Sequence, residues 1–410
     1  LKSLWVKNSR RRASVFFWPE PVMFTGMIFA FGASRVPGQQ LTNTYNLYNG
    51  GMVYSEGISY DRTTQRITLS SVTSSMFSQF DASDNMTHIE DYHLGDNDTD
   101  FPVGLGVHGD PSDTSLFWVA QSQWVPPNTA VASRVSAYKL HEATSGSNAF
   151  AEHLFSHEGA LGTNASEIQF NDLCFSPDGD VYVTESYGSS VQVVTGGAAG
   201  TLSTLTSGGI LGDHDGLTHG NGIVYVEDAD GDFLLVTNYK GGTLVKVDVG
   251  TGAQSEVSVP VSFEGDGLVM LPDGRLVVVT SSTVHLLQAD SSMWTGASVQ
   301  FSVDLELAAD VATTATLADT DLSVFVTTMR WNEALGGPTT DGSTMLRVEF
   351  PSSTTSTTDA SGDASTNESD ASVEASTTDA SGDASTTDLT SSSLQIATVF
   401  ALYGAGLSLV

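Results

Sequence analysis

The sequence predicts an all-β fold, a six-bladed β-propeller with four-stranded blades around a central axial cleft, and three observations predict it. Between Val36 and Phe350 no stretch carries helical periodicity, whereas short runs rich in Val, Ile, Leu and Tyr recur, bounded by Asp-Gly or Gly-Gly. Four segments share one layout: EGISYDRTTQRITLSS from Glu56, NDLCFSPDGDVYVTES from Asn171, NGIVYVEDADGDFLLVTN from Asn221 and DGLVMLPDGRLVVVTS from Asp266. In each, a polar residue and a Gly or Asp precede Ile or Leu, a turn follows, and a second strand ends in Ser, Thr or Asn. Two weaker copies, VHGDPSDTSLFWVAQS from Val107 and TATLADTDLSVFVTTM from Thr314, fill the gaps, and adjacent copies lie close to 50 residues apart except before Asn171. A repeat of roughly 40 to 50 residues with about four strands per unit is that of a propeller blade, and six copies give six blades.

Ahead of the repeats, residues 1–34 read as a secretory leader. Lys2, Lys7, Arg10, Arg11, Arg12 and Arg35 are six of the fifteen basic residues, and the apolar stretch Val22 to Ala33 and small residues near Gly32 to Ser34 follow. That is the order of a charged region, a hydrophobic core and a cleavage site. The core is shorter than the roughly 20 residues that cross a bilayer; the alternative is an apolar helix packed on the domain.

The propeller is expected over 35–352. SSVQVV, GTLVKVDV and STVHLLQA are candidate outer strands, and the ring is expected to close with Leu41 to Tyr48 joining the blade that contains Thr344 to Phe350. Gln121 to Ser133 and Asp81 to Asp100 read as insertions building a rim around the cleft. From 353 to 393 the composition shifts to Ser, Thr, Asp, Ala and Gly, and STTDASGDAST occurs twice. Such a segment lacks the apolar area to offset its ordering entropy and reads as an extended stalk. Residues 394–410, apolar and uncharged, match the tail of a glycolipid-anchor signal, with a short membrane segment as the alternative.

A net charge of -33 and a pI near 4.2 exclude nucleic acid and an anionic membrane surface as partners, since phosphate binding needs clustered Lys and Arg. Contact with a membrane is expected only through the C-terminal anchor, and the propeller is expected to be a monomer. The one cysteine, Cys174, cannot form an intrachain disulfide and is expected to pack as a small buried hydrophobe. Sequons at Asn85, Asn97, Asn164 and Asn367 agree with a secreted, surface-anchored glycoprotein.

Glu56, Asn171, Asn221 and Asp266 occupy one position of their repeats, and in a toroid equal positions converge on the axis. Two carboxylates and two carboxamides at one point supply the hard oxygen donors that a calcium-type divalent cation takes. Sulfur and imidazole are absent from the set, which disfavours zinc; magnesium, manganese and, less favoured, zinc are the alternatives to calcium. The competing reading is turn chemistry, because Asn-Gly and Asp-Gly pairs are ordinary hairpin residues.

The segments SEGISYD, FNDLCFSPDGDVYVTES, GNGIVYV with LLVTNYKGGTLVKVD, and GDGLVMLPDGRLVVV resemble the family of senescence marker protein (regucalcin), gluconolactonase and luciferin-regenerating enzyme. More distantly they are similar to paraoxonase and diisopropyl fluorophosphatase. The resemblance covers about Val53 to Val348. It implies one catalytic divalent cation, usually calcium, at the bottom of the axial cleft, with Glu56, Asn221 and Asp266 as direct ligands and Asn171 as a ligand or as holder of a water or substrate. Mammalian lactonases of the family carry an Arg two residues before the third-blade Asn, where this chain has Gln169. His108, next to Gly109, is similar to the paraoxonase histidine thought to activate water; a solvated loop histidine is the alternative. The sixth copy offers Thr314, Thr316 and Arg330 where fluorophosphatase-like enzymes have a histidine.

The function expected is metal-dependent hydrolysis of a lactone or related ester. The cation acts as Lewis acid, Asp266 or His108 takes a proton from water, and Asn171 and Gln169 contact the substrate. The rival is a non-catalytic propeller that binds a ligand or partner protein and keeps the cation as a structural plug. A strictosidine-synthase-like enzyme shares the fold without the metal, but needs a glutamate in a late blade that this chain does not show.

Overall fold

The computed structural model describes residues 41–352, apart from 48–53, 73–75, 95–102, 126–128, 160–167, 214–217, 308–309 and 330–343. The expected leader, stalk and tail lie outside the described residues, as do Asn97, Asn164, Asn367 and Arg330. Strand β1 (Leu41–Asn46) comes first. Unit 1 holds β2 (Ile58–Asp61), β3 (Arg66–Ser70), β4 (Met76–Asp81) and β5 (Thr87–Leu94), and unit 2 holds β6 (Val103–Gly109), β7 (Leu116–Val125), β8 (Thr129–His141) and β9 (Phe150–Glu158). Unit 3 follows with β10 (Phe170–Phe175), β11 (Val181–Glu185), β12 (Ser190–Thr195) and β13 (Thr201–Ser207), and unit 4 with β14 (Gly220–Val226), β15 (Phe233–Asn238), β16 (Thr243–Asp248) and β17 (Gln254–Val257). Unit 5 is β18 (Gly265–Met270), β19 (Leu276–Thr280), β20 (Thr283–Ala289) and β21 (Ala297–Asp304). Unit 6 is β22 (Val311–Leu317), β23 (Ser323–Met329) and β24 (Thr344–Glu349), completed by β1. No α-helix occurs among the described residues; two short 3-10 turns, Gly197–Ala199 and Gly209–Gly212, lie in unit 3 and its exit.

Within each unit the strands pair antiparallel in chain order. Units 1 and 2 are joined into one eight-stranded sheet by a short parallel contact, His93 to Phe150 and Leu94 to Ala151. Strand β1 pairs with β24 from Leu41–Val348 to Asn46–Thr344, so the ring closes with mixed termini. SSVQVV, GTLVKVDV and STVHLLQA are third strands, because β13, β17 and β21 lie outside them. Gln121 to Ser133 is no separate insertion: it is the far end of a long β7–β8 hairpin whose ladder runs from Leu116–Lys139 to Val125–Thr129. Asp81 to Asp100 is a turn and β5 as far as Leu94.

Strict alternation along the strands explains the packing. In β15, Leu234 and Val236 face unit 3 while Phe233 and Leu235 face unit 5, the period of two that a strand buried on both faces produces. An apolar cluster fills each of the six junctions between neighbouring units. Each fully buried aliphatic or aromatic side chain there contributes about 1.5 to 3 kcal/mol. Cys174, a free thiol, packs in the cluster between units 3 and 4 as a small buried side chain. The Pro-Asp-Gly turns close the first hairpins of units 3 and 5, with Gly179 at φ 87° and Gly274 at φ 82°, a region that glycine enters without penalty.

Candidate functional site

The innermost strand of a unit carries a β-bulge near its start. Register slips between Gly104 and Val107, Phe170 and Leu173, Gly220 and Ile223, Gly265 and Leu268, and Ala312 and Ala315. Two residues therefore stand where the partner strand offers one, and the backbone bends to re-aim their side chains. The first bulge position holds Leu105, Asn171, Asn221, Asp266 and Thr313, and Glu56 takes the corresponding place just before β2. The second holds Gly57, Gly106, Asp172, Gly222, Gly267 and Thr314.

Hydroxyls, three on second strands and one on the bulge of β22, tie these bulges around the axis. Ser70 Oγ accepts from Gly57 N (3.1 Å) and donates to Leu105 O (2.5 Å); Thr184 Oγ1 accepts from Asp172 N (3.0 Å) and donates to Asn221 O (2.6 Å). Thr237 Oγ1 donates to Asp266 O (3.3 Å), and Thr313 Oγ1 donates to Glu56 O (3.4 Å), linking unit 6 to unit 1. This is a physical reason for the hydroxyl near the end of the repeats that begin at Glu56, Asn171 and Asn221.

Glu56, Asn171, Asn221 and Asp266 line one cavity of about 10 Å³, together with Asp172, Thr314, Gly106 and Gly267. That is room for a single water-sized sphere. Glu56, Asn171 and Asn221 are buried, while Asp266 keeps partial exposure. Asn171 Nδ2 donates to Ser186 Oγ at 3.2 Å, and that hydroxyl donates to Gly220 O at 2.7 Å, which leaves the Asn171 carbonyl oxygen for the cavity.

The electrostatics are those of crowded anions. Burial, then the charge of Asp172, pushes Glu56 up to about 7. Asp266 is raised well above the ordinary carboxylate range by burial, Glu56 and Asp172 in that order, against a hydrogen bond from Asn221. Glu56 Oε2 is buried without a hydrogen-bond partner, and a buried orphan acceptor is costly. An oxygen-seeking cation answers all of these features. Among the described residues no group of three or more His, Cys, Asp or Glu side chains is placed to hold a metal ion, so a centre here depends on the two carboxamides for half of its donors.

His108 and Gln169 do not line the cavity. His108 lies two residues past the bulge in β6, with Nε2 3.5 Å from Asp172 Oδ1. Gln169 is buried beside Glu185, whose Oε1 accepts its backbone N–H at 3.1 Å. Two positions need correction. The weaker copies were phased on Val107 and Thr314, but the equivalents of Asn171 are Leu105 and Thr313, since neither carries an acid or amide to mark its phase. Asp172, which the sequence reading does not count among the ligands, lines the cavity beside Asn171. Tyr239 carried no sequence signal; burial and the charge of Asp266 raise its phenol to about 12, so it is a neutral hydroxyl near the acids.

No protein-family model matches the chain, and no curated protein sequence matches it. Solved structures share its fold. The major allergen Mala s 1 of Malassezia sympodialis aligns with a TM-score of 0.56 at 13% identity, over 72% of this chain and 93% of that one. A luciferin-regenerating enzyme aligns at 0.53 and 11% identity, over 76% and 96%. The PQQ-bound aldose sugar dehydrogenase of Streptomyces coelicolor aligns at 0.50 and 12% identity, over 75% and 98%. At these identities the likeness is one of fold, an all-β propeller, and such a ring hosts unrelated functions. The luciferin-regenerating enzyme belongs to the family that the repeat motifs resemble.

Proposed function

We propose that the protein is a divalent-cation-dependent hydrolase of lactones or related esters. One observation carries the reading: four oxygen-bearing side chains from four units line a single water-sized cavity in which two carboxyls are destabilised as anions and one oxygen has no partner. Glu56, Asn171, Asn221 and Asp266 would hold the cation, calcium by the hardness of the donors, and Ser186 orients Asn171 as the supporting hydrogen bond. When bound, the cation supplies Lewis acidity toward an acyl oxygen.

The chain's own groups do the rest. Asp266, the least buried residue of the four, takes the proton of a water whose oxygen attacks the acyl carbon. The ring C–O bond then breaks, and the leaving oxygen takes a proton to give a hydroxy acid. His108 is the alternative base, although it stands behind Asp172 rather than in the cavity.

The small size of the cavity favours one other reading, a binding module in which the cation is a structural plug. Elemental analysis and a screen of lactones and aryl esters, with and without chelator, separate the two. One tightly held divalent ion with chelator-sensitive turnover supports the hydrolase, and an ion without turnover supports the plug. We further infer secretion and a C-terminal surface anchor from the basic, apolar and Ser/Thr-rich ends of the sequence. Fractionation before and after phospholipase treatment tests the anchor.

A further inference from the structure

The second bulge position separates the units into two kinds. Four are glycine, because a Cβ would run into the next unit: at Gly57 into Leu105 O, at Gly106 into Asp172, at Gly222 into Asp266 O, and at Gly267 into Thr314. Only Asp172 and Thr314 carry side chains there, and in the cyclic order of six units these two stand across the ring from each other. Asp172 is committed, since Oδ1 accepts from Leu173 N at 2.9 Å and Oδ2 from Ile223 N at 3.4 Å. The Thr314 hydroxyl lines the cavity, and no described residue hydrogen-bonds it.

The rest of the lining leaves this hydroxyl chemically distinct. Glu56, Asp172 and Asp266 are acceptors when ionised. Each carboxamide NH2 already makes one hydrogen bond, Asn171 to Ser186 and Asn221 to Asp266. Thr314 is thus the one neutral side chain of the cavity lining to which no described residue hydrogen-bonds, and Gly267 is the clearance that admits it.

We propose that Thr314 Oγ–H donates to the acyl oxygen of the substrate and stabilises the negative charge that grows there as water attacks. Thr314 is on this view a catalytic residue, and the substrate class is one that presents a carbonyl oxygen at the axis. The assignment rests on the hydrolase reading. A pre-positioned donor aimed at a developing oxyanion acts chiefly on kcat.

The test compares wild type, Thr314→Val and Thr314→Ser, all calcium-loaded, on a lactone or aryl ester that wild type turns over, and reads the calcium-induced rise in melting temperature of each. Thr314→Val is expected to lose about 100-fold in kcat, with KM little changed. Thr314→Ser is expected to stay close to wild type, and the calcium-induced rise is expected to be equal in all three. The proposal is overturned by a Val variant with wild-type kcat, by a Ser variant that falls as far as Val, or by loss of the calcium response in Val. Wild type without chelator-sensitive turnover overturns the hydrolase reading itself, and this assignment with it.

Discussion

Without a bound cation, the stability of this protein is expected to fall as pH rises through the window in which most proteins change little. Glu56 carries the argument. In the folded, cation-free protein it keeps its proton up to about pH 7, whereas an ordinary Glu releases it near 4.5. Between those values the folded state binds more protons than the unfolded chain, so stability declines with rising pH. At roughly 1.4 kcal/mol per tenfold change in proton affinity, the whole window is worth about 3 kcal/mol, or about 5 °C in melting temperature for a domain of this size. Asp266 acts in the same direction.

The turn aspartates do not mask the effect. Asp61, Asp81, Asp110, Asp113, Asp248 and Asp273 are held below the ordinary value of 3.8, and their contribution is lost only as pH falls below that range. Calcium, which takes the ionised carboxylates, should restore stability increasingly toward neutral pH. Thermal melts at pH 5 and 7.5 in chelator and in calcium measure this. Glu56→Gln should flatten the pH dependence in chelator, match or exceed wild type at pH 7.5, and lose the calcium response. A chelated wild type equally stable or more stable at pH 7.5, with Glu56→Gln less stable than wild type, refutes the crowded-anion account.

Three further outcomes follow from the same geometry. Gly222→Ala, whose Cβ would overlap the backbone O of Asp266, should shift the Asp266 backbone and with it the carboxylate, and lower calcium affinity at least tenfold in a titration, besides destabilising the fold by roughly 1 to 3 kcal/mol. Ser186→Ala removes the hydrogen bond that orients Asn171 and should weaken calcium binding about 10- to 100-fold while costing only about 1 kcal/mol in urea unfolding. Asp266→Asn should abolish chelator-sensitive turnover, whereas His108→Asn should leave most of it; the opposite result in parallel kinetics transfers the base to His108.

The ring itself was legible because its causes are local. Alternation of apolar residues, Pro-Asp-Gly turns and a hydroxyl at the end of each second strand repeat often enough to count six units, and Glu56, Asn171, Asn221 and Asp266 share one phase of that repeat. Where the bulge positions lack an acid or amide, as at Leu105 and Thr313, the phase was lost and the copies slid by a residue or two.

Composition, repeat length and the four-residue oxygen set were therefore determined by the sequence alone, since each depends on neighbours along the chain. Only the closed ring decided that Asp172 joins the cavity, that His108 stands behind it, and that Thr314 faces inward with its hydroxyl unspent. Those facts depend on which bulge of one unit lies against the next. That register is set by clearances at Gly57, Gly106, Gly222 and Gly267, distances between segments far apart in sequence that no local pattern encodes.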